Sequence, residues 1–170
     1  MLKDTTRTKS YALFILSNPH LFKDAIVLDV GCGTGILSLL AARAGAKHVY
    51  AVDASDVAKK AIENIRTNGF ADKITVVRGK VEEIELPVKE VDIIISEWMG
   101  YFLLYESMLD SVLVARDKYL RKGGVMAPSQ TKIMLSGVDC ADYIQQRVGF
   151  WSDVYGQSDM ISSSLLFCLK

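Results

Sequence analysis

Short, nearly unbroken apolar runs recur along the chain, and most are followed by a stretch with helical spacing. Ala25 to Val30 reads as a strand buried on both faces. Behind it comes the glycine turn Gly31-Cys32-Gly33-Thr34-Gly35. Ile36 to Ala44, rich in Leu and Ala, then predicts a helix closed by Gly45 in a left-handed cap. His48 to Asp53 is a second strand and completes a β-α-β unit. Ser55 is the predicted cap of a helix that turns Val57, Ala58, Ala61, Ile62 and Ile65 inward and stops at Asn68-Gly69. Ile74 to Val77 and Val91 to Ser96 are two more strands, separated by the acidic connection Gly79 to Pro87. Leu103 to Leu120 has helical spacing through Met108, Leu109, Val112 and Leu113, with Gly123-Gly124 as its stop. Ahead of the first strand, Leu2, Leu13 and Leu16 predict the inner face of a helix that ends before Asn18-Pro19.

Strands alternating with helices predict an α/β fold with a doubly wound, mostly parallel sheet, whose ligands bind at the carboxyl ends of the strands. After Pro128 the pattern breaks. Lys132 to Val138 predicts a strand, Tyr143 to Val148 a helix, and Ser162 to Leu169 a segment able to pair along an edge. Three parts follow: a helical flank or lid (1–24), a nucleotide-type domain (25–128) and the start of something different (129–170). There is no internal repeat.

Charge narrows the class. Twenty basic and twenty acidic residues in a chain of 170 give a formal net charge of zero, which speaks against a broad nucleic-acid-binding face. Cys32, Cys140 and Cys168 are odd in number and widely spaced, so they fit neither a disulfide framework nor a metal site, and the expectation is a reducing cytoplasmic or nuclear setting. The apolar run Tyr11 to Leu16 is too short for a membrane span or a signal core. No metal, membrane or direct nucleic-acid partner is expected.

The glycine turn carries the first candidate chemistry. Glycine adopts positive φ and has no side chain, so the backbone can approach a nucleotide-like ligand. Asp29 lies two residues before Gly31; Gly31, Gly33 and Gly35 alternate; Asp53 ends the second strand, where an acid accepts hydrogen bonds from ribose hydroxyls. The dinucleotide fingerprint places its third glycine one residue later and holds a pyrophosphate. An acid beside the glycines suits a ligand with an amino and a sulfonium group and no phosphate. S-adenosylmethionine therefore fits better than NAD, and a tight turn with incidental acids is the bland alternative. Cys32 has no histidine near it in sequence and reads as a small buried filler.

The second candidate is Ser96-Glu97-Trp98-Met99-Gly100-Tyr101, running on to Tyr105-Glu106-Ser107-Met108. An apolar strand ending in Ser-Glu, a turn at Gly100 and a following helix bearing a second acid would fold Glu97 and Glu106 onto one cleft as a clamp for a cation. Two solvated glutamates flanking a turn are the bland alternative. Asp4 and Arg7, three residues apart on a helix, read on their own as a modest surface pair.

With Val27-Leu28-Asp29-Val30-Gly31-Cys32-Gly33-Thr34-Gly35 and the two-acid stretch together, the sequence resembles the type I protein arginine N-methyltransferases. The resemblance also takes in Met1-Leu2-Lys3-Asp4 with Arg7, Gly79-Lys80-Val81-Glu82-Glu83 and Trp151-Ser152-Asp153-Val154-Tyr155-Gly156, so it covers roughly residues 1–156. It implies a Rossmann-like class I methyltransferase fold leading into a β-barrel, with S-adenosylmethionine as cofactor and S-adenosylhomocysteine as product. Glu97 and Glu106 match the family's two guanidinium-gripping acids. Asp29, Gly31, Gly33 and Gly35 match its cofactor loop, Asp53 the ribose acid, Arg7 the arginine on the cofactor carboxylate and Glu82 the acid near the adenine amino group. Asp4 matches the acidic neighbour of that arginine and Met108 a methionine that packs beside the reacting groups, and both are expected in the substrate pocket. The implied substrates are arginine-bearing proteins such as histones and Arg-Gly-rich, RNA-binding or ribosomal proteins.

The family's Thr-His-Trp loop, its dimerisation arm and most of its barrel have no counterpart here, and His20 and His48 lie in no such motif. The Tyr-Phe helix that closes over the cofactor has none either. Two readings stand: the cofactor domain of an active arginine methyltransferase, or a shortened form that binds cofactor or a full-length partner without catalysis. The 170 residues alone are expected to transfer methyl weakly or not at all. Full-length members imply a homodimer, and exposed Ile133, Leu135 and Phe150 would favour self-association.

Overall fold

The computed structural model describes residues 2–157, which fall into two units, one up to Ile133 and one from Met134 onward. The first holds five strands, β1 (Ile26–Val30), β2 (His48–Asp53), β3 (Ile74–Arg78), β4 (Val91–Ile95) and β5 (Leu120–Ala127), all parallel in the order β3-β2-β1-β4-β5. The chain runs outward from β1 on one side and returns to the other through β4. The crevice at the carboxyl ends of β1 and β4 is where such a sheet takes its ligand.

Each central strand is apolar on both faces, and the two faces feed separate cores. Val27, Val49, Ala51, Ile93 and Ile95 pack under α1 (Thr5–Ser17), the short α2 (Pro19–Phe22), α3 (Ile36–Arg43) and α4 (Ala58–Thr67) with Ile15, Phe22, Leu37, Ala41 and Ile65. Leu28, Val30, Tyr50, Val52 and Ile94 pack on the other side with Leu86, Trp98 and, from α5 (Leu109–Tyr119), Val112, Ala115 and Tyr119. Burying one such aliphatic side chain contributes roughly 1.5–3 kcal/mol.

Several expectations are corrected. Leu2 lies ahead of α1 and is exposed, and within the helix Leu13 and Leu16 do not face inward but are exposed, while Ile15 is buried and Tyr11 and Phe14 pack against the core. The inward face runs through positions 11, 14 and 15, which the 3.6 period allows and the leucines do not share. In α4, Val57 and Ile62 are likewise exposed, leaving Ala58, Ala61 and Ile65 to pack. Gly123-Gly124 does not stop a helix. Both glycines lie inside β5, the strand the sequence pattern missed, next to a register shift in its pairing with β4. A Cβ on Gly124 would stand 2.9 Å from the Asp92 carbonyl oxygen, so that irregular pairing requires glycine there. Lys132 to Val138 forms no strand.

In the second unit, α6 (Ala141–Arg147) fulfils the predicted helix and a short 3₁₀ turn follows at Gly149–Ser152. Phe150 and Trp151 meet edge to face there. The pairing expected of Ser162 to Leu169 lies outside the described residues. Among the described residues, no helix is long and apolar enough to cross a membrane.

Candidate functional site

The carboxyl end of β1 runs into Gly31, Gly33 and Gly35, all at positive φ. Gly31 requires glycine for a second reason. A Cβ there would collide with the Met108 terminal methyl, so Met108 lies directly against the loop. Asp53, at the end of β2, shapes the same loop from the side. Its Oδ2 accepts from the Gly33 amide at 2.8 Å, and its Oδ1 accepts from the Ser55 amide and hydroxyl at 2.8 and 2.6 Å. Asp29 is completely buried beneath the loop. Its Oδ2 accepts from Ser38 Oγ at 2.6 Å, and its Oδ1 has no hydrogen-bond partner. Burial pushes this carboxyl up to about 7, against the opposing hydrogen bonds from Ser38. Cys32 is buried, and burial with the nearby Asp29 and Asp53 charges drives its thiol pKa up. It is the inert filler the sequence suggested.

Two clefts meet at Gly31. One, of about 620 Å³, is lined by Val30, Asp53, Ser55, Gly79, Glu82, Met108 and Ser111 among others. The other, of about 440 Å³, is lined by Leu2, Lys3, Cys32, Gly33, Thr34 and Glu97. Glu82 accepts a short hydrogen bond from Ser111 Oγ, which holds its carboxyl below the ordinary range.

The two-acid stretch departs from expectation in one respect. Glu106 is not on a helix, because α5 begins only at Leu109. Between the acids the backbone turns repeatedly, with Phe102, Leu103 and Ser107 at positive φ and Gly100 bridged to Leu103. Such left-handed residues end a helical pattern that side-chain spacing alone suggests. The loop nevertheless returns Glu106 to the turn. A Cβ on Gly100 would lie 2.6 Å from Glu106 Cγ and 3.1 Å from its Oε1, so the carboxylate folds over the bare glycine. Glu97, just beyond β4, is mostly enclosed, with 14% of its side chain exposed; its Oε2 takes Arg7 Nη1 at 3.2 Å and its Oε1 is buried without a partner.

Arg7 comes from α1. Asp4 caps that helix by accepting from the Arg7 amide at 2.9 Å, and its other oxygen pairs with Arg7 Nε at 3.3 Å. The pair is therefore more than a surface contact: it sets the guanidinium toward Glu97. The structure joins Asp4, Arg7 and Glu97 through ion pairs, with Glu97 lining the smaller cleft, and sets Asp53 and Glu82 on the larger one; Glu106 stands exposed against Gly100 and lines neither cleft. Sequence reasoning did not find Ser38 and Ser111, the hydroxyls that hold Asp29 and Glu82, and took Ser55 for a helix cap, whereas Val57 is the N-cap and the Ser55 hydroxyl holds Asp53. Isolated serines carry no spacing signal. It also missed Tyr11, whose place one turn beyond Arg7 was a usable clue.

The sequence of a protein arginine N-methyltransferase 1 from Schizosaccharomyces pombe is 61% identical over 156 residues, 92% of this chain and 46% of that protein. Its namesake from Saccharomyces cerevisiae is 58% identical over the same share of the chain and 45% of its own length. Over 92% of its length the chain is similar to protein arginine N-methyltransferases. It spans under half the length of these curated relatives. Solved structures agree. A Trypanosoma brucei PRMT1 enzyme–prozyme heterotetrameric complex with AdoHcy matches with a TM-score of 0.79 and 52% identity over 93% of this chain and 50% of that one. The structure of PRMT6-SAH matches with a TM-score of 0.82 at 32% identity, covering 99% of this chain and 56% of its own. A family model described as ribosomal protein L11 methyltransferase (PrmA) matches residues 4–133. By that match the chain belongs to the methyltransferase family that this model describes. The similarity to the arginine methyltransferases takes in more of the chain, 156 residues.

Proposed function

We propose that this chain forms the cofactor-binding and guanidinium-holding part of a protein arginine N-methyltransferase that uses S-adenosylmethionine. The observation that carries the reading is the Glu97 carboxylate: enclosed, oriented by Arg7, with a buried oxygen still free to accept, and with Glu106 turned back over Gly100 in the same loop. The residues present fit the cofactor. Gly31 keeps open the junction between two clefts, and acids that can accept from hydroxyl and amino groups, Asp53 and Glu82, line the larger one.

In this reading Asp53 takes the ribose hydroxyls, Glu82 the adenine side, Arg7 the cofactor carboxylate, and the backbone of Gly31, Gly33 and Gly35 the amino-acid end; Asp29, expected among the cofactor residues, is buried beneath that loop and supports it from below. When bound, S-adenosylmethionine supplies a methyl group on a positively charged sulfur. The chain's own task is the acceptor. Arginine is protonated at any physiological pH and its charge is spread over three nitrogens, which makes each a poor nucleophile. Glu97 and Glu106 accept charge-assisted hydrogen bonds from two edges of the guanidinium, draw the positive charge toward themselves and aim one terminal nitrogen. A proton released by that nitrogen passes to a carboxylate of the pair. Met108 packs against the glycine loop and limits the space around the reacting groups.

The substrate class is arginine in histones or in Arg-Gly-rich, RNA-binding or ribosomal proteins, the setting cytoplasmic or nuclear, and the assembled protein a homodimer. Segments 1–24, 25–128 and 129–170 serve as flank, cofactor domain and start of the substrate-facing domain. The test is methyl transfer by the full-length protein from labelled S-adenosylmethionine to an Arg-Gly-rich peptide and to the same peptide with lysine for arginine. Label on the arginine peptide alone is expected; label on neither, or on both equally, would overturn the reading.

A further inference from the structure

Tyr11 belongs to neither the glycine loop nor the two-acid stretch, yet it touches the residue that places Glu97. On α1, positions 4, 7 and 11 share one face. Asp4 and Arg7 use that face to reach each other and Glu97, and one turn on the Tyr11 hydroxyl donates to the Ser96 carbonyl oxygen at 2.7 Å. Ser96 is 1% exposed, and each of its polar groups is engaged. Its amide donates to the Ala127 carbonyl at 3.0 Å, which extends the β4–β5 ladder by one residue. Its Oγ donates to the Val30 carbonyl at 2.7 Å, at the edge of the glycine loop.

The carbonyl that Tyr11 holds lies in the same rigid peptide plane as the Glu97 amide nitrogen. Fixing that carbonyl therefore fixes the Glu97 amide nitrogen and Cα, the atoms from which its side chain leaves the strand. Burial, then the Glu97 and Asp29 charges, oppose ionisation of the phenol, so it remains a donor over the working pH range. A buried tyrosine commonly finds some acceptor. Here the acceptor is the peptide next to the enclosed acid, and the donor rides on the helix that also supplies Arg7.

We propose that Tyr11 is a positioning residue for methyl transfer: through Ser96 it holds the Ser96–Glu97 peptide in one orientation and so sets where the Glu97 carboxylate stands. This rests on the arginine methyltransferase reading and adds to it a residue that meets neither substrate nor cofactor.

The test compares full-length wild type, Tyr11→Phe, Tyr11→p-aminophenylalanine, which retains a donor at the ring tip, and Ile15→Val, which loosens the buried side of the same helix without reaching Ser96. The readouts are kcat and KM on an Arg-Gly-rich peptide, S-adenosylhomocysteine affinity by calorimetry, and thermal midpoint. Misplacing a reacting group by a fraction of an ångström is costly, so Tyr11→Phe is expected to lower kcat at least ~10-fold with cofactor affinity within about 3-fold. The amino variant should regain most of the loss, and Ile15→Val should keep kcat within about 2-fold despite a lower midpoint. A Tyr11→Phe kcat close to wild type overturns the proposal, as does an equal loss in Ile15→Val, or cofactor affinity collapsing together with kcat. A wild type that binds S-adenosylhomocysteine but labels no arginine overturns the underlying reading and the proposal with it.

Discussion

Arg7 Nη1 stands 3.2 Å from Glu97 Oε2 while Arg7 Nε stands 3.3 Å from Asp4 Oδ2, so one guanidinium spans two carboxylates from different elements. Lysine cannot reproduce that: it offers a point charge on a flexible stem where arginine offers a planar fork. Arg7→Lys in the full-length protein is expected to lose ~10-fold or more in kcat/KM with net charge unchanged. Steady-state kinetics on a peptide substrate checks it, and wild-type values would show that the fork is not used.

The two acids should fail in the same way and through turnover. Removing the charge from either, as Glu97→Gln or Glu106→Gln, is expected to cost at least ~100-fold in kcat. Calorimetric binding of S-adenosylhomocysteine should remain within a few-fold, because neither acid is needed to line the larger cleft. Full activity in both variants would remove the acids from the chemistry.

Gly100 offers a cleaner probe than either acid. Its φ is not in the left-handed region, so Gly100→Ala adds no backbone strain and acts only through the new methyl, which would press on Glu106 Cγ at 2.6 Å. The expected result is a fall in kcat of ~10-fold or more with a thermal midpoint near that of wild type. A normal kcat would mean that the loop moves the carboxylate aside without penalty.

Asp29 predicts a pH dependence whose sign follows from its burial. Unfolded, an aspartate titrates near about 3.9; folded, this one titrates at about 7. The folded state therefore keeps a proton that the unfolded chain has already released. Its contribution to stability is fully present below about 4 and is lost as the pH rises through about 7. Without cofactor, wild type should lose on the order of 2 kcal/mol more stability than Asp29→Asn between pH 5 and 8. Urea midpoints across that range measure it. Parallel curves for the two proteins would show that Asp29 is ionised throughout.

Legibility in the sequence divided along a physical line. Strands β1, β2 and β4 announce themselves because burial on both faces demands unbroken apolar runs, and the glycine loop because positive φ demands glycine. β5 was missed because its pairing with β4 is irregular and uses Gly123 and Gly124, residues that elsewhere stop helices. The helix assigned to 103–108 failed because Phe102, Leu103 and Ser107 adopt left-handed conformations without being glycine. Tertiary context imposes such backbones, and no local pattern records them. The outward leucines of α1 failed for a simpler reason: several faces of that helix carry apolar residues, and only the fold chooses among them.

That irregular loop between the acids separates two jobs that a helix would have joined. Its turns and Gly100 set where the carboxylates stand, while Tyr101, Phe102, Leu104 and Tyr105 point largely into solvent, with exposures of 85%, 87%, 52% and 78%. Side chains that bear on the outside can be exchanged without moving the enclosed Glu97 or the contact of Glu106 with Gly100. Under the proposed function, changes on the outside of the loop would alter which peptides are taken and leave the hold on arginine as it is.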